Sequence, residues 1–234
     1  MKSKRDIFRL CLNFLLKALF CGALIKISSL CKCSFVFGSK FATFSGSCAT
    51  IPLTGAFAGG LVSFVIFAAS CFLRYLIFGI ASLHVFAFYL PGLCAAFYFS
   101  SLSLSRICIR LVLPVLCIAL FLCNPVGLQA FAYSLFWLIP IVIYFLDKKN
   151  IFLDALAATF IAHAVGSVIF LYTVSLPAVA WNALIPIVAL ERLAIASLIY
   201  VLYKVFDYVR KNAFDKTLHF VSHCGKILRV KFVR

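Results

Sequence analysis

Two ionisable side chains stand where apolar packing has no use for them. His163 interrupts the apolar run 155–172, and Glu191 is the only glutamate in a chain of 234 residues. An imidazole both donates and accepts hydrogen bonds, a carboxylate accepts them, and inside hydrocarbon each needs a partner or a water-filled cavity. The residues around them fall into helical stripes. Thr159, His163 and Ser167 recur at i,i+4 spacing beside a small-residue stripe of Ala158, Ala162 and Gly166, so a polar face adjoins one that permits close helix contact. Gln129, Tyr133 and Trp137 are also four apart. They offer an amide and two aromatic rings with polar handles, the mixture a small-molecule pocket requires, although Gln129 also suits an interfacial belt. With Thr159 and Asn182 beside them, the candidate substrate-binding set is His163, Glu191, Gln129, Tyr133, Trp137, Thr159 and Asn182. Arg192 follows Glu191 directly, and neighbours on a helix point about 100° apart, so the two cannot both face one partner fully. A buried polar clamp that only fixes helix packing would use the same residues, and the two readings stand side by side.

Enzyme chemistry finds less support. The chain has no HExxH, GxSxG, paired-aspartate or phosphate-loop motif, and of its six acidic residues only Glu191 lies well inside an apolar run. His163 and Glu191 alone are too sparse for a metal hydrolase, and His219, His223 and Cys224 on the basic tail are a weak metal signal. No catalytic residue, cofactor or metal is therefore expected. The eleven cysteines are scattered mostly through apolar runs without a CxxC, and they read as small hydrophobes rather than a disulfide framework.

The elements that must position these residues are membrane helices. Hydrophobic residues make up 65% of the chain and charged residues 12%, with a mean hydropathy of +1.15, whereas soluble domains are about half apolar and a quarter charged. Several runs approach or exceed the roughly 20 residues that cross a hydrocarbon core. The expected class is all-α, a polytopic transmembrane bundle. Six spans are expected at about 52–70, 75–100, 107–123, 128–146, 154–173 and 184–206, with a turn near 71–74 separating the first two. Gly55 and Gly59 would form a small-xxx-small contact face. Prolines 91, 114, 140 and 186 fall inside these spans, where each frees a carbonyl four residues earlier.

The formal charge of +16 is concentrated at the chain ends and between apolar runs. This is the positive-inside pattern, with attraction to anionic lipid headgroups at the basic tail, and no basic soluble module argues for nucleic acid. Basic loops at 106–110 and 147–149 and the basic tail fall on one side when two spans separate each pair, so both termini are expected in the cytoplasm. Residues 1–50 read as an N-terminal membrane-associated segment, 51–206 as the bundle and 207–234 as a basic amphipathic cytoplasmic tail. Lys17 and Lys26 break the first apolar run, which is read as part of the mature protein rather than a signal peptide. If 8–30 also spans, residues 33–50 must cross back and eight spans result.

Four phrases carry a resemblance: 121–127 (FLCNPVG), 133–141 (YSLFWLIPI), 159–173 (TFIAHAVGSVIFLYT) and 184–193 (LIPIVALERL). They resemble a poorly characterised family of bacterial multi-pass inner-membrane proteins, and that family is loosely similar to the substrate-binding S components of energy-coupling-factor vitamin transporters. The resemblance implies an outward-facing pocket for a small-molecule substrate, a transmembrane T subunit and ATPase subunits as partners, and a location in the bacterial inner membrane. It carries no vitamin-specific signature. The expected function is solute uptake through the pocket named above, and the alternative is a membrane scaffold or assembly factor held by a polar clamp.

Overall fold

The computed structural model describes the backbone at residues 4–34, 43–79, 83–100, 107–146 and 149–231, and no side chain beyond residue 212. Among these residues the protein is helical apart from one short two-stranded ladder. Four stretches are long and apolar enough to cross a membrane: Cys11–Leu30, Gly60–Phe78, Ile151–Thr173 and Ile185–Asn212. Tyr89–Phe99, Cys108–Leu122 and Phe131–Leu146 are shorter apolar helices. The protein is thus a helical membrane protein by length and composition. Arg106, Asp147, Lys148, His219, His223 and Cys224, used above for charge or ligand arguments, lie outside the described residues or side chains.

The chain opens with one unbroken helix, α1 (Lys4–Leu30). Strands β1 (Lys32–Ser34) and β2 (Thr43–Ser45) then pair antiparallel, Lys32 opposite Ser45, and bring α2 (Ser47–Phe57) back alongside α1. Ser28 Oγ and Thr50 Oγ1 are 2.7 Å apart across that junction. The ladder is a small departure from an all-α chain. It pairs 32–34 with 43–45 inside the stretch 1–50 that the sequence reads as a membrane-associated segment.

The next turn lies elsewhere than expected. Instead of breaking near 71–74, the chain reverses at Ala58–Gly59, and α3 (Gly60–Phe78) runs straight through Arg74. Gly59 has φ of 92°, a left-handed value that costs glycine little and any other residue strain. Thr54 and Ser63 hydroxyls, nine residues apart, meet at 2.8 Å, a distance that one continuous helix rising about 1.5 Å per residue could not give. The expected Gly55/Gly59 contact face is accordingly divided. Gly59 makes the turn, while Gly55 makes the contact: a Cβ there would overlap the backbone carbonyl of Ala96 in α4 (Leu83–Phe99).

The second half agrees better with the expected spans. Helix α5 (Cys108–Leu122) opens with a π turn over Cys108–Val112. Pro114 lacks the N–H that Arg110's carbonyl would need in an α-helix, and the wider turn accommodates that missing bond. Asn124 caps the short α6 (Pro125–Gln129) by accepting from Val126 N–H at 2.9 Å. Ala130 then breaks what had been expected as one span from 128, and α7 (Phe131–Leu146) follows, with a 3₁₀ turn over Leu135–Trp137 just before Pro140. Helix α8 (Ile151–Thr173) starts on an Asn150 cap. A short α9 (Ala178–Ala183) leads into α10 (Ile185–Lys231), a single helix of 47 residues. Pro186 therefore sits in the first turn of α10, where no N–H is required, and does not kink a span.

Helix α8 is the axis of the bundle, packing most extensively on α4 and then on α10. Two cores flank it. Tyr98, Phe121, Tyr133, Trp137, Phe160 and Trp181 dominate the larger, and Ala49, Leu53, Ala155, Ile195, Ala196 and Ile199 form the smaller. In the smaller core Phe57 also meets Tyr203 and Phe206. Helix α2 hence lies alongside α10 in the same direction, its first residues level with Arg192 and Ile195 and its last with Phe206.

Candidate functional site

The geometry that matters begins with helix α8. Its 3.6-residue repeat carries Thr159, Ala162, His163, Gly166 and Ser167 along one side, and all five border a cavity of about 490 Å³. Pro91, Gly92 and Ala95 of α4 form the facing wall, Ser47, Cys48, Ile51 and Pro52 of α2 another, and Arg192 and Ile195 of α10 a third. Tyr133, Phe170 and Trp181 close the remaining side. Small residues make the space: Gly92, Ala95, Ala162 and Gly166 leave room that larger side chains would occupy, and a Cβ on Gly166 would already touch Pro91. Cavities of 300–1,000 Å³ with apolar walls and a few converging polar groups are the usual form of small-molecule sites.

The polar groups form a short relay. Tyr133 Oη and Ser167 Oγ are 3.4 Å apart, and Ser167 Oγ lies 3.5 Å from His163 Nε2. The Tyr133 ring also packs on the imidazole at 5.4 Å and edge-on to Trp181 at 4.9 Å. These separations are at the long end of hydrogen bonding, so the three groups keep bonding capacity for something else. Thr159 Oγ1 donates to the Leu156 carbonyl at 2.8 Å, leaving its lone pairs to accept. Trp181 is 2% exposed, and its indole N–H has no hydrogen-bond partner among the described residues.

Glu191 and Arg192 meet each other. Arg192 Nη2 donates to Glu191 Oε2 at 2.8 Å, with the two side chains 10% and 7% exposed. The flexible arginine stem bends back to its neighbour, which overrides the 100° divergence of adjacent Cβ directions. Arg192 borders the cavity and Glu191 does not, so the pair offers its cationic member to the space. No known protein family, curated protein or solved structure matches the chain. Its chemistry must be argued from these contacts.

Of the seven residues singled out from the sequence, Tyr133, Thr159 and His163 line one cavity. Glu191 stands behind Arg192. Trp137 is fully buried in the larger core, edge-on to Phe121 at 5.2 Å, and supports Tyr133 from behind without reaching the space. Gln129 closes α6 and is exposed, as is Asn182. The i,i+4 stripe of Gln129, Tyr133 and Trp137 does not hold because Ala130 breaks the helix after Gln129. Arg192, Trp181 and the start of α2 were missed as wall residues. Arg192 did carry a signal, as a cation in an apolar run, whereas nothing in Ser47–Pro52 taken alone points to a cavity. Among the described residues no group of three His, Cys, Asp or Glu side chains converges to hold a metal ion.

Proposed function

We propose that this protein is a membrane subunit that captures a small solute in the cavity between α2, α4, α8 and α10. The observation that carries the reading is the cavity itself: about 490 Å³, bordered by His163, Tyr133, Thr159, Arg192 and Trp181 within an otherwise apolar bundle. Ionisable groups at membrane depth mark pathways and binding sites because they are too costly to keep as filler. In this reading the spans α3, α4, α5, α7, α8 and α10 cross the bacterial inner membrane with both termini cytoplasmic, the hairpin of α1 and α2 completes the wall, and the basic tail rests on anionic lipid. The likeness to S components of vitamin transporters adds a T subunit and ATPase subunits as the source of energy for uptake. The test is to denature the purified protein and identify released small molecules by mass spectrometry. A metabolite should accompany the wild type in near-stoichiometric amount and fall at least tenfold in His163→Ala; an empty wild type overturns the reading.

A second reading has its own observation. Glu191 and Arg192 satisfy each other at 2.8 Å, as a clamp in a scaffold protein would. Under that reading His163→Ala and Tyr133→Phe lower the melting temperature in detergent and alter no ligand response.

A further inference from the structure

The cavity has no net charge of its own, yet it carries hydrogen-bonding groups on one side. Among the described residues Arg192 is the one charged side chain that borders it. The Arg192 charge is met by Glu191, whose Oε2 accepts from Nη2 at 2.8 Å. A charged solute would therefore leave water for an apolar bundle in which no counter-charge waits for it. The hydrogen-bonding side belongs to α8. Thr159 commits its hydroxyl hydrogen to the Leu156 carbonyl at 2.8 Å, so toward the cavity it offers lone pairs only. His163 is half-buried, and its Nδ1 makes no hydrogen bond among the described residues and is not one of the unpartnered atoms sealed from the surface. Its other ring nitrogen, Nε2, ends the chain of Tyr133, Ser167 and His163. A neutral imidazole carries one N–H, so this chain can run in either direction. When Tyr133 donates to Ser167 and Ser167 to Nε2, the proton is on Nδ1, which donates. When Nε2 donates to Ser167 and Ser167 to Tyr133, Nδ1 accepts. In both cases Nδ1 and the Thr159 oxygen ask for partners four residues apart, about 6 Å along the helix axis. Much of the remaining wall is apolar, with Ile51 and Pro52 of α2, Pro91 and Ala95 of α4 and Ile195 of α10.

We infer that the solute is an uncharged molecule with an apolar body and a carboxamide, the carboxamide set against His163 and Thr159. This inference rests on the reading of the cavity as a solute site and names the chemical class it takes. A carboxamide presents one carbonyl and two N–H groups. An N–H suits the Thr159 oxygen, and the carbonyl or the second N–H suits Nδ1 in whichever direction the chain runs. A carboxylate brings no donor for Thr159 and no counter-charge for itself. An ammonium has donors, but its charge meets no free carboxylate. A ketone answers Nδ1–H and leaves the Thr159 oxygen without a partner, and a site built to hydrogen-bond a solute N–H rejects the analogue that lacks it.

The test uses four probes of one shape, cyclohexanecarboxamide, cyclohexyl methyl ketone, cyclohexanecarboxylate and cyclohexylmethylammonium, titrated calorimetrically into detergent-purified full-length protein at neutral pH. The expected result is that the carboxamide binds roughly tenfold or more tighter than either ion and roughly fivefold tighter than the ketone. Thr159→Val, which keeps the shape and loses the oxygen, should bring the carboxamide to within about twofold of the ketone. His163→Leu should do the same, whereas His163→Asn, whose amide can stand in for Nδ1, should keep part of the preference. Equal or tighter binding of either ion or of the ketone overturns the inference, as does an unchanged preference in both Thr159→Val and His163→Leu. If no probe binds, the small molecules released from the denatured protein decide. An uncharged carboxamide upholds the inference, a charged molecule or one without an amide overturns it and leaves the solute site standing, and an empty protein overturns both.

Discussion

At the scale of single residues, the ion pair of Glu191 and Arg192 is the most consequential contact. Taking two charges out of water costs several kcal/mol each, and their attraction in the interior offsets this only while both are present. Glu191→Ala leaves a buried guanidinium without its counter-charge and is expected to destabilise by about 3–5 kcal/mol, whereas the Glu191→Gln/Arg192→Gln pair should lose less than half of that. Thermal unfolding in detergent of the wild type, Glu191→Gln, Arg192→Gln and the double variant measures the coupling, and additive effects would show that the contact contributes nothing. His163 belongs to a different class. It lines the cavity, and its Nε2 meets Ser167 at 3.5 Å, a distance too long to contribute much. His163→Ala is therefore expected to shift the melting temperature little while removing bound solute. The helix period was enough to identify His163 and Thr159, because both lie on one continuous helix whose repeat is fixed. It did not identify Trp181 and Arg192: the use of Trp181 depends on how α9 folds back, and that of Arg192 on how a four-bond side chain bends toward its neighbour.

At the scale of elements, close approach of backbones decides where the cavity can exist. Gly55 lets α2 touch α4, and a methyl group there would strike the Ala96 carbonyl. Gly55→Ala should destabilise by about 1–3 kcal/mol as an overpacking change and distort the cavity by pushing out the start of α2. Gly22, with nothing within 4 Å of its absent Cβ, is the control, and Gly22→Ala should be neutral. Equal behaviour of the two variants in thermal unfolding would contradict the α2–α4 contact. A third glycine, Gly59, explains the misplaced turn. Arg74, the one charge between Ile51 and Ser100, looked like a loop residue on charge grounds, but its stem can reach along the bilayer side of a helix, and its guanidinium stacks 5.7 Å from Phe78. The break went to Gly59, where the backbone could take a positive φ. The helix bounds within 107–123 and 154–173 and the start of the last helix were legible because caps and prolines set them: Asn150 accepts from Phe152 and Leu153, and Pro186 suits the first turn. Another lock holds the opposite end of α8. Arg110 donates to the Tyr98 carbonyl at 2.9 Å, lies 4.2 Å over its ring, and is 3.8 Å from Asp154, which ties α4, α5 and α8 together at one level.

At the scale of the whole molecule, the bundle buries Thr159, Ser167, Glu191 and Arg192 and turns many apolar side chains outward. Leu15, Leu16, Leu19 and Phe20 of α1 and Leu61, Phe72, Leu73 and Leu76 of α3 are exposed, the surface that hydrocarbon rather than water would cover. Composition made this plain, since 65% hydrophobic residues cannot all be buried in 234. The order of the helices in space was not legible, because the hydrophobic effect does not choose partners between apolar helices in lipid and small-residue contacts do. The proposed topology places the 174–177 connection outside and the region around Lys211 inside. In a cysteine-free background, Ser175→Cys should react with an impermeant maleimide in intact cells and Lys211→Cys only after permeabilisation; labelling of both in intact cells would contradict it. The central claim is that the cavity beside His163 holds a solute, and filling that space tests it most directly. Native mass spectrometry of the purified protein should detect a small-molecule adduct on the wild type and none on Ala162→Phe, whose ring would occupy the cavity, with the melting temperature of the unliganded protein preserved. An adduct of the same mass on both proteins, or on neither, would contradict the account.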